Sequence, residues 1–337
     1  MTGLLSGVRQ AIGRYFSLVS LLPSVLLVAY CFVLFSSGAL SGPPDLGTVR
    51  AALSGLDFGE AALLALVAMV VGVVTHPLQF MIVQWAEGYW GLGNLSRRMR
   101  ELAVDRHRRR RDAVVNLAKD AAELRELIDD ADDPPEDRVQ QRLLTLHYEA
   151  SRLSASYPGA DDDVMPTRLG NVLRRYEVGA GEPFGLPATA LLPLVALVAP
   201  ANELTYLNDR RSAMDLSVRT AANFGIAFLL TVVFLWDDGL WLLAALVPYT
   251  LSYLSYRGAV VQAHDYGNAM ANVIAMNRFK LYERLRLHLP DNVLEERRLH
   301  ERLQPMHDLT PLQKLAFKHP PGNQPVAVPG VDQPPAG

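Results

Sequence analysis

Residues 105–130 read DRHRRRRDAVVNLAKDAAELRELIDD, with five arginines in six positions ahead of a run that closes on acid. Downstream of the arginines, Val114, Leu117, Ala121, Leu124 and Ile128 recur at spacings of 3, 4, 3 and 4, one stripe of a helix and the seam of a coiled coil. Beyond the breaker DDADDPPED, Val139, Leu143, Leu146, Ala150 and Leu153 repeat the pattern at 4, 3, 4 and 3. A chain that folds back at Pro134 and Pro135 sets Ile128 opposite Val139, Leu124 opposite Leu143, Ala121 opposite Leu146, Leu117 opposite Ala150 and Val114 opposite Leu153. Every pair sums to the same index, so the two stripes share a register and predict an antiparallel coiled-coil hairpin over 93–157.

The same register sets Arg106 opposite Asp161, with Asp162 and Asp163 beside Arg108, Arg109, Arg110 and Arg111. The run therefore predicts a charge clamp at the hairpin base. The alternative is a site for anionic lipid, where each cation gains roughly 1 kcal/mol within a Debye length of the surface. A helix running straight on from Gln84 would hold the arginines about 30 Å off the membrane. Nucleic acid is not an expected partner, because the hairpin carries about as many acids as bases and its tip is acidic. Asp161–Asp163 lack the alternating spacing and central glycine of a calcium loop, so no metal is expected there.

The surrounding 337 residues are 50% hydrophobic and 20% charged, with net charge −3 and mean hydropathy +0.12. Apolar residues concentrate in 17–36, 61–84, 221–236 and 239–256, each near the ~20 residues that cross hydrocarbon. Four transmembrane helices are expected. The first could instead be a cleaved signal peptide, since Arg9 and Arg14 precede it and small residues follow, but it is longer than the usual core of such a signal. Cys31 is the lone cysteine, so no intramolecular disulfide is available.

Lys/Arg bias orients the spans. Arg9 and Arg14, then Arg97, Arg98 and Arg100, then Arg210, Arg211 and Arg219, and last Arg257, Arg278 and Lys280 flank the ends expected inside. The loop before the second span holds one arginine and three acids, and residues 237–239 are a bare turn. Both termini are thus expected in the cytoplasm and the protein in the inner membrane. Trp236 and Trp241 mark the outer interface; Trp85, Tyr89 and Trp90 mark the inner one. The apolar stretch 184–200, broken by Pro187, Pro193 and Pro200, reads as interfacial or re-entrant.

Helical pattern continues past the fourth span to Pro290. Within it Ala259, Ala263, Gly267, Ala271 and Ala275 fall at every fourth residue, a smooth stripe for a closely packed helix of the same chain or of a second subunit. Tyr249, Ser252, Tyr253 and Tyr256 share one face of the span, for interhelical hydrogen bonds or, less simply, a pore. His76, beside Pro77, is an ionisable group at membrane depth that could serve function or cap carbonyls freed by the proline. His264, Asp265, Glu87 and His76 have the ligand types for a metal or an acid/base pair, but their spacing selects neither. No HExxH, GxSxG, phosphate loop or paired CxxC occurs. Residues 165–177 read as a helix with Leu169, Val172, Leu173 and Tyr176 on one face, and Asn292 with Glu295 as a capping box for another.

Three stretches, MPTRLGNVLRRYE (165–177), NDRRSAMDLSVRTAANFG (208–225) and YGNAMANVIAMNRFKLYERLRLHLP (266–290), together resemble an uncharacterised family of bacterial, often actinobacterial, multi-pass membrane proteins. The resemblance covers much of 165–290 and implies no activity, substrate or catalytic residue. Bestrophin-type channels share the plan of paired spans with cytosolic helical extensions, but none of their motifs occur here, and a shared plan does not imply a shared function.

The expected protein is all-α. It comprises a cytosolic amphipathic N-terminus (1–16), a transmembrane hairpin (17–92), the coiled-coil hairpin (93–157) and a cytosolic or interfacial helical region (158–220). A second transmembrane hairpin (221–256), a cytosolic helical extension (257–318) and a disordered Pro/Gly-rich tail (319–337) complete it. The expected role is non-enzymatic and cofactor-free: a self-associating scaffold or membrane sensor in the lipid bilayer, with a cytosolic protein as a further partner. An oligomeric ion channel or transporter, and a metal-dependent enzyme at the inner leaflet, are the alternatives.

Overall fold

The computed structural model describes residues 21–40, 42–129, 137–185, 187–307 and 317–318. Among them every regular element is a helix, and the one strand-like contact is an isolated bridge between Leu287 and Phe317. The helices are α1 (Leu21–Ser36), α2 (Leu46–Gly55), α3 (Phe58–Glu87), α4 (Asn94–Asp129), α5 (Asp137–Ser154), α6 (Arg168–Gly179), α7 (Ala188–Ala196), α8 (Ala201–Phe234), α9 (Leu246–Arg284) and α10 (Val293–His307). The chain divides into two compact units, Met1–Tyr176 with Thr205–Ala269, and Glu177–Leu204 with Met270–Gly337.

Local chemistry sets the ends of α3. Asp57 accepts from the Glu60 backbone N–H at 2.7 Å while the Glu60 carboxylate accepts from the Asp57 N–H at 3.4 Å, a capping box. At the other end Gly88 turns left-handed at φ 112° and donates to the Gln84 and Trp85 carbonyls. This stop overturns the expected straight run from Gln84, since a new helix begins only at Asn94. In the window Phe58–Thr75 only 11% of residues are buried, so an apolar helix shows nearly all its surface. Both α3 and α8 are long and apolar enough to cross a membrane. A third candidate is the broken pair Arg168–Phe184 and Ala188–Ala196.

The fourth expected span differs from the sequence reading, and the first is described only in part. Only Leu21–Ser36 of the first is among the described residues, and it is shorter than a full crossing. The fourth is not one uniform helix: Gly239–Ala245 is a 3-10 turn and α9 starts at Leu246. Pro248 explains the break, because it suits a first helical turn but clashes with the carbonyl four residues back if the helix begins earlier. The cation-poor loop before α3 contains α2, capped by Asp45, which accepts from the Gly47 N–H at 2.7 Å. Helix α9 ends at Arg284 rather than near Pro290, and Arg286 adopts φ +56°. The turn at Pro134 and Pro135, the N-terminal segment 1–16 and the tail 319–337 lie outside the described residues.

In the first unit, α1 meets α8 through a Tyr30 hydroxyl to Thr231 Oγ1 hydrogen bond of 2.5 Å and an edge-on Phe35–Phe234 contact with centroids 5.7 Å apart. Helix α9 joins α8 where the Ser252 hydroxyl donates to the Ala221 carbonyl at 2.8 Å. Leu169, Val172 and Leu173 of α6 form a buried core with Met214, Val218, Ala259 and Ala263. Full burial of each such leucine or valine is worth about 1.5–3 kcal/mol.

Helices α4 and α5 pack on each other. Between Ala113 and Ile128 the covered residues are Val114, Leu117, Ala121, Leu124 and Ile128, with every position between them exposed. Along α5 the covered residues are Val139, Leu143, Leu146 and Ala150, whereas Leu153 is exposed. In the second unit, Tyr282, Leu287 and Leu303 form the core, and α7 buries Ala188, Ala190, Leu191 and Val195.

Candidate functional site

The base of the α4–α5 pair gathers arginines, but not in the expected register. Arg111 Nη2 pairs with Asp161 at 2.5 Å, Arg108 donates to the Asp161 carbonyl at 3.4 Å, and His107 Nδ1 meets the Tyr157 hydroxyl at 3.1 Å. Asp161 therefore faces Arg111 and not Arg106. The reason is that α5 stops at Ser154 and the turn that follows advances less than a helix would. Asp163 pairs instead with Arg174 at 3.0 Å, Asp162 is exposed, and so are Arg106 and Arg109. Arg110 hydrogen-bonds to Tyr157.

The clamp leaves its cations partly unmet. Arg108 Nε and Arg111 Nε and Nη1 are buried with no hydrogen-bond acceptor among the described residues. Burial, with Arg110, Arg168 and Arg106 nearby, holds His107 down at about 4, so the imidazole is neutral in a cationic setting.

Helix α6 docks on the C-terminal end of α3. The Thr167 hydroxyl donates to the Glu87 carbonyl at 2.8 Å and accepts from the Gly170 N–H at 2.9 Å, capping α6 while tying it down. Gly170 sits so close to the Glu87 carbonyl that a β-carbon would collide with it. Asn171 is fully buried and satisfied: its Nδ2 donates to the Met165 and Thr167 carbonyls, both at 2.7 Å, and its Oδ1 accepts from the Met165 N–H at 2.9 Å. The Tyr256 hydroxyl accepts from the Leu169 N–H at 3.3 Å.

The small-residue stripe divides between the units. Ala259, Ala263 and Gly267 are buried inside the first, where a methyl group on Gly267 would overlap the Tyr176 ring. Ala271 and Ala275 belong to the second and are half-buried. The first three positions are covered by the chain itself and offer no seam to a second subunit. His264 stacks edge-on against Tyr176, with centroids 6.1 Å apart, and burial with Arg175 lowers it against the opposing pull of Asp265. Among the described residues no three His, Cys, Asp or Glu side chains converge as metal ligands would.

The tyrosines do not line one surface. Tyr249 lies against Phe228 with ring centroids 5.5 Å apart, the Tyr253 hydroxyl accepts from Arg257 at 3.3 Å, and both rings are largely exposed while Tyr256 turns inward to α6. His76 lies on α3 and its side chain is outside the described residues. A polar cluster that sequence reasoning missed joins α3 to α8: Arg219 Nη2 donates to Gln79 Oε1 at 3.0 Å and Gln79 Nε2 to Asp215 Oδ2 at 3.1 Å. The four-residue spacing of Asp215 and Arg219 was its readable signal.

The second unit holds a polar network that the sequence reading did not single out. Tyr282 and His300 are wholly buried and Glu296 nearly so. Glu296 Oε1 accepts from Arg278 Nε at 2.8 Å and from the Tyr282 hydroxyl at 2.6 Å; that hydroxyl also lies 2.9 Å from His300 Nε2, and His300 Nδ1 bonds the Phe184 carbonyl. Arg278 stacks on Phe184, 4.3 Å from its centroid. Burial and Glu296 drive the Tyr282 phenol far up, and burial lowers His300. At the start of α10 Asn292 accepts from the Glu295 N–H at 3.0 Å, but the Glu295 carboxylate returns to the Asp291 N–H.

No family model, no curated protein and no solved structure matches this chain.

Proposed function

We propose that this is a non-enzymatic integral membrane protein that self-associates and acts as a scaffold or membrane sensor through a cytosolic helical hairpin. In this reading α1, α3, α8 and the first turns of α9 form two transmembrane hairpins, both termini are cytoplasmic, and α4 with α5 is an antiparallel coiled coil carried on the inner side. The resemblance to bacterial multi-pass membrane proteins is in keeping with it. The observation that supports it most is the contrast between α3, apolar and little covered by protein over Phe58–Thr75, and the α4–α5 pair, where the covered residues over 113–150 fall on one stripe of each helix.

Two measurements test it. A topology reporter inserted beside Arg108 reads cytoplasmic, and an external reading overturns the orientation. Cysteines replacing Leu124 and Leu143, in a Cys31→Ser background, oxidise to an intramolecular disulfide; failure to do so removes the seam.

A second reading, an ion channel or transporter, is favoured by the Gln79–Asp215–Arg219 cluster on two helices that can cross a membrane. Reconstituted liposomes decide it: ion flux abolished by Gln79→Leu supports conduction, and silent liposomes across ions and pH remove it.

A further inference from the structure

The first turns of α4 carry an apolar face that the rest of the chain leaves uncovered. Leu92 in the preceding loop is 97% exposed, and Leu95, Met99 and Leu102 are 73%, 54% and 71% exposed. Their spacing of 3, 4 and 3 sets them on one side of the helix. The covered positions Ser96, Ala103, Val104 and His107 centre about a third of a turn further round the helix, with Met99 bordering them, so most of the apolar face is left open. Exposed leucines scattered singly need no explanation, but a contiguous helical stripe of them does.

Two features identify what covers it. The first is charge: between Asn94 and Val104 the exposed Arg97, Arg98 and Arg100 stand against a single Glu101. The second is continuity. The stripe begins within a few residues of the inner end of α3, whose Val73, Val74, Leu78, Phe80 and Met81 are exposed in the same way, and exposed Trp85 and Tyr89 stand between the two. Amphipathic rings at that level mark a headgroup layer, and a helix with leucines on one face and arginines around it suits the plane just beneath.

We infer that the start of α4 is an interfacial helix whose Leu95, Met99 and Leu102 enter the acyl boundary of an anionic phospholipid surface while Arg98 and Arg100, nearer that face than Arg97, reach its phosphates. The stem of Arg98, nearest the apolar face, extends along it to bring the guanidinium back to the headgroups. This rests on the spanning reading of α3 and adds a second, lateral contact with the bilayer. It assigns the charge between the span and the hairpin a ligand class, phosphate diesters held at a surface.

The test uses full-length protein with Cys31→Ser, reconstituted in phosphatidylcholine vesicles with and without phosphatidylglycerol. Single cysteines at Met99, Leu102, Arg97 and Val73 carry an environment-sensitive fluorophore. Positions 99 and 102 are expected to show blue-shifted emission, quenching by shallow nitroxide lipids and loss of iodide quenching, with position 97 open to iodide. Phosphatidylglycerol enhances the shift at 99, and Arg98→Gln with Arg100→Gln cancels the enhancement. Equal iodide access at 97 and 99 overturns the inference, as does protection at 99 that persists in detergent with short nitroxide–nitroxide distances, the sign of a second copy. Position 73 separates the two readings, because loss of deep-nitroxide quenching there condemns the span itself.

Discussion

A single methyl group tests the packing at Gly267. Gly267→Ala drives a β-carbon into the Tyr176 ring, and overpacking of this kind costs about 1–3 kcal/mol. Gly267→Leu costs more, while Gly258→Ala, inside α9 with open space around it, raises the melting temperature slightly, since alanine is favoured over glycine in a helix interior by about 0.5–1 kcal/mol. Thermal unfolding in detergent checks the contrast. His107 supplies a pH signature. Its folded value of about 4 lies below the ordinary imidazole value of about 6.5, so the unfolded chain binds the proton more readily. The stability contributed by neutral His107 is present above about 6.5 and is lost as pH falls toward about 4. His107→Gln is expected to flatten that acid limb in melts run from neutral to acidic pH. Neither effect was legible in sequence alone: Gly267 showed as one of a stripe without its partner ring, and His107 as an interruption in a run of arginines.

Among the elements, helix existence was readable and helix limits were not. The spacing along 114–128 and 139–150 coincides with the covered residues, because a long polar helix can hide only its apolar stripe. The register beyond Ser154 was misread, since a seam rule presumes helical rise and the chain there is a turn. Single residues set other limits. Gly88 stops α3 where extrapolation ran on, Pro248 delays α9, and Asp45 starts an unforeseen α2. Thr167 is the corresponding device for α6. Thr167→Val removes both its cap and its bond to Glu87, and a loss of about 1–2 kcal/mol is expected for a cap of this kind. Thr167→Ser restores most of it, and the pair of variants, compared by unfolding, distinguishes the hydroxyl from the shape.

At the scale of the whole molecule, polar groups buried far apart in sequence were the hardest to foresee. Arg278, Tyr282, Glu296 and His300 carry no shared local pattern in the sequence, and only tertiary packing joins them into a network. Tyr282→Phe deletes the hydroxyl that Glu296 and His300 share, and leaving buried partners unmet costs about 1–3 kcal/mol. The expected result is earlier protection loss in hydrogen exchange across Met270–Gly337, with the α6 core of the first unit unchanged. Equal loss in both units contradicts the division. The two helices apolar enough to cross a membrane and the covered stripes of α4 and α5 were composition and periodicity problems; the Gln79–Asp215–Arg219 cluster and this network depended on distant partners that no local pattern shows.

Helix α4 runs unbroken from Asn94 to Asp129, without a glycine or proline along its 36 residues. Such a rod transmits rotation rather than absorbing it. At ~1.5 Å per residue it is a lever about 54 Å long, so rocking its root by about ten degrees swings its far end by about 9 Å. On the inference that Leu95 and Met99 sit in lipid, a small change in lipid crowding around them becomes a displacement close to a helix diameter at Asp129.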